Sequence, residues 1–169
     1  MKQYSAKRSI QILAHILEQY GIDKIIISPG SRNAPLSIHF SEIDTFQCYS
    51  IVDERSAGFV GLGIAKSIKK PVALTCTSGS AVANYYPAVV EAFYQNIPLL
   101  ILSADRPSDF VDLFDGQTIR QKNIFQQHSY GDFELLEDEK DGAEDFNFEI
   151  IKKAVEICIE KSGPVHINI

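Results

Sequence analysis

The apolar positions along this chain switch repeatedly between two spacings. Ile10, Leu13, Leu17 and Tyr20 recur every three or four residues, one face of a helix, and Gly21 follows where that helix would stop. Lys24-Ile25-Ile26-Ile27 is instead an unbroken apolar run closed by Ser28-Pro29-Gly30, the pattern of a strand buried on both faces. A short helix is expected from Pro35, since proline suits a first helical turn. The alternation continues with a strand over 46–51, a Gly- and Ala-rich helix over 54–67 and a strand over 72–76. A long helix over 80–94 is crossed by Pro87, which predicts a kink or a break. Leu99-Leu100-Ile101-Leu102 is a further strand.

After Arg106 the pattern loosens. The reading is a helix within 114–125, a strand within 131–136 and a solvated acidic loop over 137–145. Ile151, Ala154, Val155, Cys158 and Ile159 then mark a last helical face, stopped by Ser162-Gly163-Pro164 before an apolar strand at 165–169. About six βα repeats predict an α/β fold, an open doubly wound parallel sheet with helices on both faces. The abrupt apolar ending reads as a cut within a longer protein.

Composition narrows the classes. The chain has 169 residues, 45% hydrophobic and 22% charged, enough to bury a core. A net charge of −6 gives no basic footprint for nucleic acid or anionic membrane. No apolar run approaches the roughly 18 to 20 residues of a membrane span, and the N-terminus lacks a signal-peptide pattern. Cys48, Cys76 and Cys158 lie in apolar segments without metal-like spacing, so they read as reduced thiols in a cytoplasmic protein.

Chemistry collects at the ends of the predicted strands, where parallel sheets bind ligands. Asp53-Glu54-Arg55-Ser56-Ala57 sets a carboxylate, Glu54, at the start of a helix. From the residues alone it reads either as a site carboxylate or as an acidic first turn favoured by the helix dipole. Ser28-Pro29-Gly30-Ser31-Arg32-Asn33, Thr77-Ser78-Gly79-Ser80 and Ala104-Asp105-Arg106-Pro107 emerge on the same side. Gly30 and Gly79 allow close backbone approach, and Ser78 and Ser80 are expected to cap the helix after them. Arg32 and Arg106 are planar donors suited to carboxylates. Together these loops describe an anion-recognising crevice with one carboxylate. Walker, zincin and hydrolase-elbow motifs are missing. Gly58, Gly61 and Gly63 read as helix packing, and His15, His39, His128 and His166 as structural or exposed.

These loops, with Asn84, Tyr86-Pro87-Ala88 and Gly116-Gln117-Thr118-Ile119-Arg120-Gln121, resemble a family of thiamine-diphosphate enzymes. It is the 2-succinyl-5-enolpyruvyl-6-hydroxy-3-cyclohexene-1-carboxylate synthase family of menaquinone biosynthesis. The resemblance runs from Ser28 to Gln121 and concerns the N-terminal, pyrimidine-binding domain. It implies a carboligation in which 2-oxoglutarate is decarboxylated and its succinyl unit is added to isochorismate. By resemblance, Glu54 is the glutamate facing N1′ of the cofactor's aminopyrimidine, work that a burial-raised pKa would suit. Ser78, Gly79 and Asn84 match the loop near the cofactor, and Ser31, Arg32, Arg106 and Gln117 match the isochorismate side. The family holds the diphosphate and Mg²⁺ (or Mn²⁺) in a later domain with a Gly-Asp-Gly motif that this chain lacks. Residues 1–169 are therefore expected to be half of a composite site, shared between subunits of a homodimer or tetramer, and inactive alone. Two other readings stay open: another thiamine-dependent decarboxylase or carboligase, and a non-catalytic binding module with this fold.

Overall fold

Each unbroken apolar run becomes a strand covered on both faces. A computed structural model describes residues 4–169 of the chain. In order, the elements are α1 (Arg8–Gln19), β1 (Lys24–Ile27), α2 (Ala34–Glu42), β2 (Gln47–Ser50), α3 (Glu54–Ile68) and β3 (Val72–Cys76). They continue with α4 (Ser80–Asn84), α5 (Tyr86–Gln95), β4 (Leu99–Ser103), β5 (Asp132–Glu134), α6 (Ala143–Lys161) and β6 (Val165–Asn168). The sheet order is β2-β1-β3-β4-β6-β5, with every neighbouring pair parallel. The chain steps from β1 outward to β2 and then returns past β1 to β3. That reversal makes β1 and β3 the topological switch point, the place where open parallel sheets bind ligands at the carboxyl ends of their strands.

Alternate residues along each strand feed two cores. Ile25, Ile27, Leu100, Leu102, Val165 and Ile167 pack against α1, α2 and α6. Ile26, Val72, Leu74, Leu99 and Ile101 pack against α3, α4 and α5. Burying an aliphatic side chain of this size contributes about 1.5–3 kcal/mol, which is why both helical layers stay docked. Gly58 and Gly61 fit the expected close packing, for a Cβ would lie 2.8 Å from Ala88 Cβ and 2.4 Å from Leu74 Cδ2 respectively. Gly63 has open space around it and plays no such part.

The proline break is complete. α4 and α5 meet at Tyr85, and Pro87 occupies the first turn of α5, where its missing N–H costs nothing. Tyr85 is buried, and its hydroxyl lies 3.0 Å from both Ser28 Oγ and the Thr75 carbonyl oxygen. It thereby ties the helical junction to the ends of β1 and β3.

Two expectations need correction. No α-helix forms within 114–125; the segment runs in turns, with single 3₁₀ turns at Ser108–Phe110 and Gln126–His128 on either side. Asp112, Phe114, Gln117 and Asn123 all adopt positive φ, which interrupts any helical ladder. The acidic stretch is also more than a solvated loop. Lys7, at the N-cap of α1, offers no side-chain acceptor, and Asp138 supplies one from across the fold. Its carboxylate accepts from the N–H of Arg8 at 2.7 Å and of Ser9 at 3.0 Å, while Glu144 pairs with Arg8 at 2.7 Å. Glu144 and Asp145 already belong to the first turn of α6, where the helix dipole favours them.

Candidate functional site

The strand-end loops form a row set by the sheet order. Glu54 follows β2, the Ser28-to-Asn33 loop follows β1, Thr77-Ser78-Gly79 follows β3, and Ala104-Asp105-Arg106-Pro107 follows β4. Backbone bonds zip their bases together: Ser28 N–H to Thr75 O at 2.8 Å, Ala104 N–H to Cys76 O at 3.1 Å and Asp105 N–H to Ile169 O at 2.8 Å. Across the switch point the approach is closer still. A Cβ on Gly30 would fall 2.5 Å from Thr77 Cβ, so only glycine lets these loops touch. Beneath them, buried Asn33 donates to the Ser28 carbonyl at 3.0 Å. Its Oδ1 and the Thr77 Oγ1 are both buried without a hydrogen-bond partner.

Glu54 opens α3 and is half-buried. Asp53 takes over the capping, accepting the Ser56 N–H at 2.8 Å, and this holds the Asp53 carboxyl below its ordinary range. Among the described residues nothing hydrogen-bonds or ion-pairs with the Glu54 carboxylate. Its field still reaches the end of β3. Burial first, and the Glu54 charge with it, push the Cys76 thiol up; burial, then Cys76, then Glu54 do the same to the Tyr85 phenol. Val52 and Phe59 stand exposed on the same stretch of chain.

On the other side of the crevice, Ser31, Arg32, Asp105, Arg106 and Gln121 line a cavity of ≈ 1340 Å³. Arg32 has no partner among the described residues. Arg106 is partly engaged: its Nη1 lies 2.7 Å from Asp115 Oδ2, and its Nη2 donates to the Gly116 carbonyl at 3.1 Å. Its Nε is buried and unpartnered. The Asp115 contact is an ion pair without hydrogen-bond alignment, since Asp115 Oδ2 makes no bond of proper geometry.

The expected site residues therefore fall in two groups. Ser31, Arg32 and Arg106 share the cavity, whereas Glu54, Ser78, Gly79 and Asn84 lie outside its wall. Gln117 is exposed and also off that wall; its carbonyl accepts the Ser78 hydroxyl at 2.8 Å. The expected serine caps do not form. Gly79 itself, at φ 80°, is the N-cap of α4, and no side chain caps that helix. Asn84 spends its amide on the Ser80 carbonyl at 2.9 Å.

Sequence reasoning missed a buried polar network under the β4 and β6 ends. His166 Nδ1 lies 2.9 Å from Asp132 Oδ1, and its Nε2 lies 2.7 Å from Ser103 Oγ. The spacing matches a hydrolase triad, but Ser103 and His166 are 0% exposed, so no substrate reaches the hydroxyl. Ser103 has a single proton to share between His166 and Asn168 Oδ1 at 2.9 Å. Asn168 in turn donates to Asp105 Oδ2 at 2.7 Å, and Asp105 Oδ1 accepts the Arg106 N–H at 2.7 Å. Burial pushes the Asp105 carboxyl up in spite of these donors. The remaining histidines are local: His15 is exposed and lies 2.9 Å from Gln19, buried His39 accepts from Ser5 N–H, and His128 meets the Tyr86 hydroxyl at 2.9 Å. The sequence signal for the network was the pair of polar residues, His166 and Asn168, alternating with apolar ones in the final strand.

Residues 8–133 match the family described as thiamine pyrophosphate enzyme, N-terminal TPP binding domain. The chain is 52% identical over 159 residues to the 2-succinyl-5-enolpyruvyl-6-hydroxy-3-cyclohexene-1-carboxylate synthase of Flavobacterium psychrophilum. The match covers 94% of this chain and 28% of that relative. The synthase of the same name from Flavobacterium johnsoniae is 55% identical over 158 residues, again 94% of this chain and 28% of the relative. That of Bacteroides thetaiotaomicron is 42% identical over 167 residues, 98% of this chain and 30% of the relative. The chain thus spans under a third of the length of these curated relatives.

Proposed function

Because the chain belongs to the thiamine pyrophosphate enzymes, as an N-terminal TPP binding domain, we propose that residues 1–169 serve as the pyrimidine-binding domain of a longer synthase. That synthase decarboxylates 2-oxoglutarate and joins the succinyl unit to isochorismate in menaquinone biosynthesis, in the cytoplasm, as a homo-oligomer that shares sites between subunits. The relatives' printed name supports the reaction. The observation that carries the residue assignment is the unpartnered, half-buried Glu54 carboxylate at the start of α3.

Glu54 fits the aminopyrimidine end of thiamine diphosphate, because a carboxyl with no competing partner is free to exchange a proton with a ring nitrogen. When bound, the cofactor supplies the electron sink for decarboxylation. The protein's share is to hold and orient. Gly79 and Ser78 fix the β3 loop near the cofactor, and Asn84 braces the first helical turn after it. Among the described residues no group of three or more His, Cys, Asp or Glu side chains comes together. Mg²⁺ or Mn²⁺ and the diphosphate are assigned, as the family resemblance implies, to a later domain of the longer synthase. Ser31, Arg32, Arg106 and Gln117 are assigned to isochorismate, with the free Arg32 and the unpartnered Nε of Arg106 as the carboxylate donors.

The test uses the full-length enzyme and follows carbon dioxide release from 2-oxoglutarate separately from isochorismate consumption. Arg32→Ala and Arg106→Ala should impair isochorismate use by about one to two decades, the scale of one Arg–carboxylate contact, and leave decarboxylation nearly intact. Lysine should rescue only in part, since a point charge cannot reproduce a planar fork. Equal losses in both half-reactions would return these arginines to a bracing role, which the Asp115 pairing of Arg106 already supplies.

A further inference from the structure

Gln121 is 1% exposed and holds two loops and the end of β6 at once. Its Oε1 accepts the Gly79 N–H at 2.7 Å. Its Nε2 donates to Asn168 Oδ1 at 2.8 Å and to the Ala104 carbonyl at 3.1 Å. Those partners belong to the ends of β3, β6 and β4, adjacent strands of the sheet. The demand is specific. One acceptor and two donors are needed at fixed spacing, and a neutral amide is the side chain that offers them. Gly79 sits at φ 80°, and a Cβ there would lie 3.0 Å from Gln117 backbone, so the loop that aims this N–H has little room to shift. The turn just ahead of Gln121 is clasped by both loops, by the Ser78 hydroxyl on the Gln117 carbonyl and by Arg106 on Asp115 and the Gly116 carbonyl.

From this geometry we infer that Gln121 is a positioning residue that sets the separation between the β3 loop, on the cofactor side, and the Arg106 loop, on the acceptor side. Although it lines the Arg106 cavity, its amide is spent on the protein, and it fixes where Gly79 and Ala104-Asp105-Arg106 stand relative to each other. The inference rests on the assignment of those loops made above, and its test separates the two.

Two variants of the full-length enzyme are compared. Gln121→Glu keeps an acceptor for the Gly79 N–H but turns a carboxylate oxygen toward the Ala104 carbonyl and Asn168 Oδ1. Gln121→Met keeps the volume and loses every bond. Amide hydrogen exchange should rise over 104–107 in the Glu variant, and over both 77–80 and 104–107 in the Met variant. In the Glu variant the KM for isochorismate should rise about ten- to a hundredfold, the scale of a buried group left unsatisfied, while decarboxylation of 2-oxoglutarate stays within about threefold. Unchanged exchange in both loops overturns the inference. So does an equal loss in both half-reactions of the Glu variant, which a merely structural role would give. If the Met variant does not fold, the Glu variant carries the test. A wild-type enzyme that ignores isochorismate defeats the proposed reaction, and the exchange measurement still decides whether Gln121 couples the loops.

Discussion

Glu54 is free because its neighbour does the capping. The N–H groups opening α3 attract a carboxylate, and Asp53 satisfies that demand through Ser56, leaving the Glu54 side chain unclaimed. In the full-length enzyme, Glu54→Gln should keep the fold and thiamine diphosphate affinity, because the amide fills the same space. Decarboxylation should fall about 10²- to 10⁴-fold, the usual cost of losing a positioned acid–base group. Turnover equal to wild type would remove Glu54 from the chemistry. Glu54, Arg32 and Arg106 were legible in the sequence because charged residues at strand ends stand out against apolar runs. Gln121 was not. Within Gln117-Thr118-Ile119-Arg120-Gln121 it looks like solvent-facing polar chain, and its burial arises only when ends distant in sequence converge.

At the scale of elements, periodicity foretold the strands well because a strand buried on two faces needs an unbroken apolar run. The misplaced helix within 114–125 has a physical origin. Its backbone bonds form isolated turns, Ile124 N–H to Gln121 O at 3.0 Å, and Asp132 takes the N–H groups of Asn123 at 3.2 Å and Phe125 at 3.3 Å in place of a helical ladder. The junction of β4 and β6 shows the same dependence on polar side chains, and it makes a prediction about pH. Burial raises the Asp105 carboxyl above its ordinary value, so the folded state holds that proton more tightly than the unfolded chain does. Stability from this group is therefore fullest below the unfolded value of about 4 and declines as pH rises through the higher folded value. Asp105→Asn should remove that decline. Urea unfolding of both proteins across the window should show the variant gaining relative to wild type with rising pH, and parallel curves would contradict the raised carboxyl.

At the scale of the molecule, the sheet order converts four separate loops into a row, with Glu54 at one end and Arg106 at the other. The doubly wound class followed from alternating spacings, but the order of strands did not, since periodicity carries no information on which strand pairs with which. The two cation-bearing loops share one cavity, and Glu54 lies outside its wall. No helix among the described residues is long and apolar enough to cross a membrane. The last prediction concerns what this surface can hold unaided. Thiamine diphosphate carries its charge at the diphosphate, where binding draws on a divalent cation and charge-assisted hydrogen bonds. The family resemblance places the metal and diphosphate groups in a later domain, and a net charge of −6 repels an anion. On the proposed reading, Glu54 at the pyrimidine end then supplies little of the cofactor's binding. Calorimetric titration of residues 1–169 with thiamine diphosphate and Mg²⁺ should show no tight binding, whereas the full-length enzyme binds in a metal-dependent way. Equally tight, metal-dependent binding by the 169-residue chain would overturn the division of the site between domains.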